Sequence, residues 1–261
     1  MKRFIPILMV LSISISVFSQ TKMFINKTNG TDSLLLSDIK SIYFKTYSSF
    51  PTQGLVAWYP LNGNANDSSG NGNNGTSNGG ITWVADRNGN SYGACSFNGS
   101  NTYINIPNST SMQIPSNQLT FSLWFKCIGT PMTTAVFFSK NDSQTDYPQY
   151  SFQLNPLTTI HFGITDTTNN LYWVNKDYNL VYNQWYFIAV TWDGVNANLY
   201  LNDSLISTQQ FNIRMKKDNH PLQIGRDTGG DIDYYQGYMD DIRIYSRALS
   251  TSEIKSLYNY K

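Results

Sequence analysis

From Gly54 onward, short apolar runs recur at regular intervals, separated by Gly-, Asn- and Ser-rich breaks. That spacing predicts antiparallel strands joined by turns and disfavours an alternation of helices and strands. Leu119-Thr-Phe121-Ser-Leu123-Trp124-Phe125 alternates with period two, so Leu119, Phe121, Leu123 and Phe125 are expected on one buried face. The run Trp185 to Trp192 is apolar on both faces, as befits a central strand covered on both sides. Asn202-Asp203-Ser204 between Leu199-Tyr200-Leu201 and Leu205-Ile206 reads as a hairpin turn. Asn62 to Gly80, though rich in Gly, Asn and Ser, is bounded by Trp58-Tyr59-Pro60-Leu61 and Ile81-Thr82-Trp83-Val84. It is therefore expected to be an ordered loop between strands, in which Asp67 accepts backbone hydrogen bonds within its own turn.

Helical periodicity appears once. Ser250-Thr251-Ser252-Glu253 fits a capping box, and Ile254, Leu257 and Tyr258 follow on one helical face. The fold class expected is all-β: a two-sheet antiparallel sandwich closed by a short C-terminal helix. Before it, residues 20–46 carry Asn29-Gly30 between two apolar runs and are expected to form a small hairpin segment. Residues 47–53, with Pro51, read as a linker, which leaves 54–261 as one large domain.

The chain begins Met1-Lys2-Arg3, followed by an apolar stretch from Phe4 to Phe18 and Ser19-Gln20. Basic residues ahead of a short apolar core fit a secretory signal over 1–19. The stretch is short for a membrane span, which needs about 20 residues, and no later segment qualifies. An exported, secreted or surface-associated protein is therefore expected. Charged residues make up 13% of the chain and the formal net charge is +1. Neither nucleic acid nor an anionic membrane is implied by that balance. Cys95 and Cys127 both lie in apolar strand patterns, and a disulfide and two buried thiols explain them equally.

Composition also bears on catalysis. Glycoside hydrolysis needs two carboxyl groups in different protonation states, yet the only glutamate, Glu253, is committed to the helix cap. His161 and His220 are the only histidines, and no nucleophile elbow is present. The expectation is a binding module with no catalytic residues. One carboxylate stands out nevertheless. Counting by twos along Tyr238 to Tyr245 places Asp240 on the face of Ile242 and Ile244, where an ionised group must be paired or metal-bound. Calcium meets that need in an extracellular protein. A bulge turning Asp240 outward, or an arginine partner, meets it as well.

Gly54 to Gly63, Asp67-Ser-Ser-Gly-Asn-Gly72 with Gly75, Ser96-Phe-Asn-Gly99, Leu119 to Lys126, Trp185 to Gly194, and Gly237 to Leu249 with the capped helix together resemble a laminin-G-like jelly roll of the concanavalin A-like lectin and glucanase superfamily. The resemblance implies a structural calcium ion held by Asp240 with backbone oxygens near Pro60 and Gly99. It offers no counterpart to the catalytic glutamates of the glucanase branch. For ligand contact, aromatic residues in polar, turn-rich settings are the candidates: Tyr147 and Tyr150 around Pro148, Tyr172 and Trp173 after Asn169-Asn170, and Tyr234 and Tyr235 beyond Gly229-Gly230-Asp231. Of these, Tyr147, Trp173, Tyr234 and Tyr235 are expected to face a glycan or another extracellular ligand. The alternative is an adhesion or structural module with a protein partner.

Overall fold

The computed structural model describes residues 50–129, 134–141, 147–155, 158–227 and 233–261. The expected signal and hairpin segments, residues 1–46, lie outside the described residues. The strands begin with β1 (Leu55–Tyr59), β2 (Thr76–Asn78), β3 (Thr82–Val84), β4 (Ala94–Asn98) and β5 (Tyr103–Ile106). After a single 3-10 turn at Ser111–Gln113 come β6 (Leu119–Cys127), β7 (Ala135–Lys140), β8 (Tyr150–Asn155), β9 (Thr159–Thr165) and β10 (Leu171–Asp177). Then follow β11 (Tyr186–Trp192), β12 (Asn196–Leu201), β13 (Ser204–Gln210), β14 (Leu222–Ile224), β15 (Gln236–Tyr245) and helix α1 (Thr251–Tyr258).

Two antiparallel sheets form the sandwich. The first runs β13-β12-β11-β6-β15-β4-β3, with β1 also paired to β15; the second runs β10-β9-β8-β7-β14-β5-β2. Period-two alternation explains the core directly. Leu119, Phe121, Leu123 and Phe125 are fully buried, as the sequence pattern predicts. Phe121 meets Phe138 and Tyr150 of the second sheet, with ring centroids 4.5 and 4.8 Å apart. Such tilted aromatic contacts across the two inner faces fill the space between sheets about 10 Å apart.

The outer face of the first sheet is covered too. Phe187, Ala189, Tyr200 and Tyr245 pack with Leu249, Ile254 and Leu257 in a second apolar cluster. This accounts for the two-faced apolar run of β11. The capping box of α1 forms as expected: Glu253 N–H donates to Ser250 Oγ, and Ser250 N–H donates to Glu253 Oε2 at 2.8 Å. Arg247 holds the same carboxylate, and this pairing draws its pKa down to about 2. Tyr258 stacks on Trp124, with centroids 5.4 Å apart. The glycine-rich loop before β2 is ordered by Asp67, which accepts from the backbone N–H of Trp58, Ser69 and Asn73.

Register settles the cysteines. Cys95 lies opposite Met239 and Cys127 opposite Gly237, so they flank β15 from either side. Two strand spacings put their Cα atoms at least about 9 Å apart, beyond disulfide reach. Both are buried free thiols, and burial raises the pKa of each.

Candidate ligand-binding face

Strict parity along β15 fails at one residue. Between the pairs Asp240–Trp124 and Arg243–Ser122, β15 advances three positions while β6 advances two. Asp241 is the extra residue, at φ 55°. This bulge keeps Met239, Ile242 and Ile244 in the core and sends Asp240 to the opposite, outer face. The expectation that Asp240 shares the face of Ile242 and Ile244 is thereby corrected. Asp240 Oδ2 accepts from Arg87 Nη1, and the Arg87 guanidinium also lies 4.8 Å from the Trp124 ring centroid. Burial pushes the Asp240 carboxyl up to about 7, against the pull of Arg87.

Asp241 is equally occupied. Its Oδ1 accepts from Trp58 Nε1 at 2.7 Å, and its Oδ2 from Arg243 Nη1 at 2.6 Å and Arg87 Nη2 at 3.4 Å. A calcium ion needs six to eight oxygen ligands free to point at it. Here two guanidinium groups already stand against the two carboxylates. Nor does the expected backbone set converge. Pro60 follows Tyr59, which pairs with Ile242, so Pro60 lies beside the bulge. Gly99 donates its N–H to the carbonyl of Tyr235, just before β15 and five residues from Asp240, or about 17 Å along the extended chain. Asp240, Pro60 and Gly99 therefore do not fit a common calcium ion. Among the described residues no group of three or more His, Cys, Asp or Glu side chains is placed to hold a metal.

The second sheet presents a different outer face. Trp173 lies opposite Gly163, Gly163 opposite Ser151, and Ser151 opposite Ser139. The same row continues through Gln223, Asn105 and Thr76. Directly opposed residues share a face, so one row of Trp173, Gly163 and five polar residues crosses all seven strands, with Ser151, Ser139 and Gln223 at its middle buried. The neighbouring row, Val174, Phe162, Phe152, Phe138, Ile224 and Ile104, points the other way and is core.

Aromatic groups stand toward both edges of this face, Trp173 in the row itself on β10 and Tyr103 two residues from Asn105 on β5. The Trp173 indole lies over Gly163, where an added Cβ would fall 2.6 Å from its ring. Only glycine admits that approach. His161 meets the indole edge-on, with centroids 5.9 Å apart, and pairs with Gln153 on the next strand. Desolvation lowers the His161 pKa, against the opposing pull of Asp177. At the other end, Arg226 lies over the Tyr103 ring, 3.9 Å from its centroid. Its Nε donates to Gln223 Oε1, its Nη1 to the Tyr234 hydroxyl at 3.5 Å, and Gln223 Nε2 donates to Asn105 Oδ1 at 3.2 Å. Trp173 and Tyr103 are five strand spacings, or about 24 Å, apart.

The expected ligand residues divide accordingly. Trp173 and Tyr234 are half-buried on this face. Tyr147 is exposed in the β7–β8 connection, where its carbonyl accepts from Lys216 Nζ. Tyr235 is fully buried between Phe97 and Phe137 and donates to the carbonyl of Tyr238, which removes it from the ligand candidates. Tyr150 is core, with its hydroxyl on the carbonyl of Met112, and Tyr172 packs on Phe211. Tyr103, Asn105, Gln223 and Arg226 were not singled out by sequence. The alternation Tyr103-Ile104-Asn105-Ile106 carried the signal for the first two; Arg226 sits beyond Gly225 at φ 86°, a kink that hides its parity.

A profile of the concanavalin A-like lectin/glucanases superfamily, in its laminin G form, matches residues 98–255, more than half of the chain. The chain belongs to that superfamily. Its solved relatives share the fold at low identity. The receptor-binding domain of a botulinum neurotoxin C/D mosaic is 15% identical with a TM-score of 0.65, over 80% of this chain and 52% of that one. The binding domain of Paraclostridial mosquitocidal protein 1 is 19% identical with a TM-score of 0.64, again over 80% and 52%. This superfamily member thus spans about half the length of either. Domain 4 of an extracellular arabinanase from Geobacillus stearothermophilus, solved with arabinotriose, is 23% identical with a TM-score of 0.59, over 78% of this chain and 98% of that domain. No curated protein matches.

Proposed function

We propose that this chain is an exported, non-catalytic carbohydrate-binding module whose ligand lies on the outer face of the seven-stranded sheet. The two partly exposed groups on that face carry the reading: Trp173 with Gln153, and Tyr103 with Asn105 and Arg226. Sugars are bound by aromatic faces that cover apolar C–H surface and by amides and hydroxyls that pair with their hydroxyl groups. Trp173 and Tyr103 supply the first; Gln153, Asn105 and Arg226 supply the second, with buried Gln223 holding Asn105 and Arg226 in place. Helix α1 and its apolar cluster cover part of the first sheet, and the outward row Lys126, Tyr238, Ser96 and Thr82 on that sheet carries Tyr238 beside Trp185.

Fold relatives lend support at the level of ligand class: botulinum neurotoxin type C depends on two ganglioside molecules for entry, and the arabinanase domain was solved with arabinotriose. The binding domain of botulinum neurotoxin DC was solved with rat synaptotagmin II, so protein ligands also occur on this architecture. The non-catalytic reading rests on the carboxylates. Glu253 is fixed by Arg247 and the helix cap, and Asp240 and Asp241 are fixed by Arg87 and Arg243. Export rests on the Lys2-Arg3 and apolar N-terminus.

A glycan array probed with the purified protein tests the proposal. Binding to a defined glycan that is lost in Trp173→Ala or Tyr103→Ala is expected. Absence of binding to every glycan, together with retention on an immobilised extracellular protein, would replace it with the adhesion reading.

A further inference from the structure

The bulge of β15 lies at a junction of several segments. Arg87 comes from the loop after β3, Trp58 from β1, Trp124 from β6, and Asp240, Asp241 and Arg243 from β15 itself. Arg243 is fully buried, 4.4 Å from the Phe50 ring centroid and 4.9 Å from that of Trp58. Arg87 rests on Trp124, which in turn stacks on Tyr258 of α1. The two carboxylates are 3% and 4% exposed, so their charges face little water. A third carboxylate, Asp86, lies nearby, and its oxygens accept from the backbone N–H of Asn88 and Asn90 and from Asn90 Nδ2.

From this geometry we infer that the Arg87 guanidinium takes the place of a divalent cation at the β15 bulge, and that this junction of the sandwich is clasped by protein charges. Two anions left without a counter-charge in so dry a setting would cost several kcal/mol. Arg87 and Arg243 supply that counter-charge and bond one oxygen of each carboxylate, Oδ2, with the Arg87 fork bridging the two, which a spherical ion does not do in the same way. A metal ion at Asp240 would have to displace Arg87 from both Asp240 and its seat on Trp124. The doubled Asp240-Asp241 thus serves two arginines where the fold would otherwise use oxygen ligands for calcium. As a consequence, the stability that this bulge contributes does not depend on calcium.

Thermal unfolding of the full chain in EDTA and in millimolar calcium chloride separates the alternatives. The melting temperatures are expected to coincide within about 1 °C, because a ligand that does not bind the native state adds no stability. Arg87→Met is expected to lower the melting temperature by several degrees, and adding Asp240→Asn to it to restore part of the loss by removing the stranded charge. If Arg87→Met does not fold, Arg87→Lys is the substitute, expected to be milder because it keeps the charge and loses the fork. A wild-type melting temperature that rises in calcium and loses this rise in Asp240→Asn would overturn the inference. So would an Arg87→Met protein as stable as wild type.

Discussion

Arg226 lies over the ring of Tyr103 at 3.9 Å, while its Nε is held by Gln223. Such a pair is a rigid platform, since the guanidinium has lost most of its freedom before any ligand arrives. Tyr103→Ala removes the platform and frees Arg226 together. Affinity for the glycan identified by array is expected to fall about tenfold or more, corresponding to at least about 1.4 kcal/mol. Titration calorimetry measures it, and an unchanged melting temperature would localise the effect to binding.

Trp173 offers an indirect test. Gly163→Val places a side chain where the indole now lies, and must lift or displace it. Loss of glycan affinity comparable to Trp173→Ala is expected from a residue that touches no ligand itself. Equal affinity in wild type and Gly163→Val would remove Trp173 from the site.

Tyr235 is a core residue and not a ligand residue. Tyr235→Ala should destabilise the domain by about 3–5 kcal/mol, as large aromatic deletions do. Chemical denaturation gives the value. Where the variant remains folded, its glycan affinity should match wild type.

The Glu253 carboxyl has its pKa lowered to about 2, chiefly by Arg247, from an ordinary 4.5. A lowered acid pKa contributes stability that is present above the unfolded value and is lost as pH falls from about 4.5 toward 2. Glu253→Gln should therefore be less stable than wild type at pH 7, with the difference shrinking as pH drops through that window. Melting temperatures of both proteins from pH 7 to pH 3 check the sign.

The thiols provide a simpler check. Cys95→Ser and Cys127→Ser should each lower stability through polar burial, while a reducing agent leaves the wild-type melting temperature unchanged. A drop on reduction would mean that a bridge exists.

Much of this protein was legible in its chain. Period-two alternation alone placed Leu119, Phe121, Leu123 and Phe125 in the core, the apolar run of β11 announced a strand covered on both sides, and Ser250 with Glu253 marked the helix start. These are local signals, set by residue spacing against the fixed repeats of strand and helix. They also separated Trp173 and Tyr234, which reach an outer face, poorly from Tyr235, which does not. What failed was parity across irregular backbone. One extra residue at Asp241 turned Asp240 from the core face to the outer one, and the kink at Gly225 hid Arg226. Partners distant in sequence were equally invisible: Arg87 meets Asp240 across 153 positions, and Arg226 meets Tyr103 only because β14 pairs with β5. The chain determined its strands, its inward faces and its helix. Tertiary pairing decided which carboxylate met which cation and which polar residues joined into one face, because both depend on register between strands and on a single bulge that no local pattern encodes.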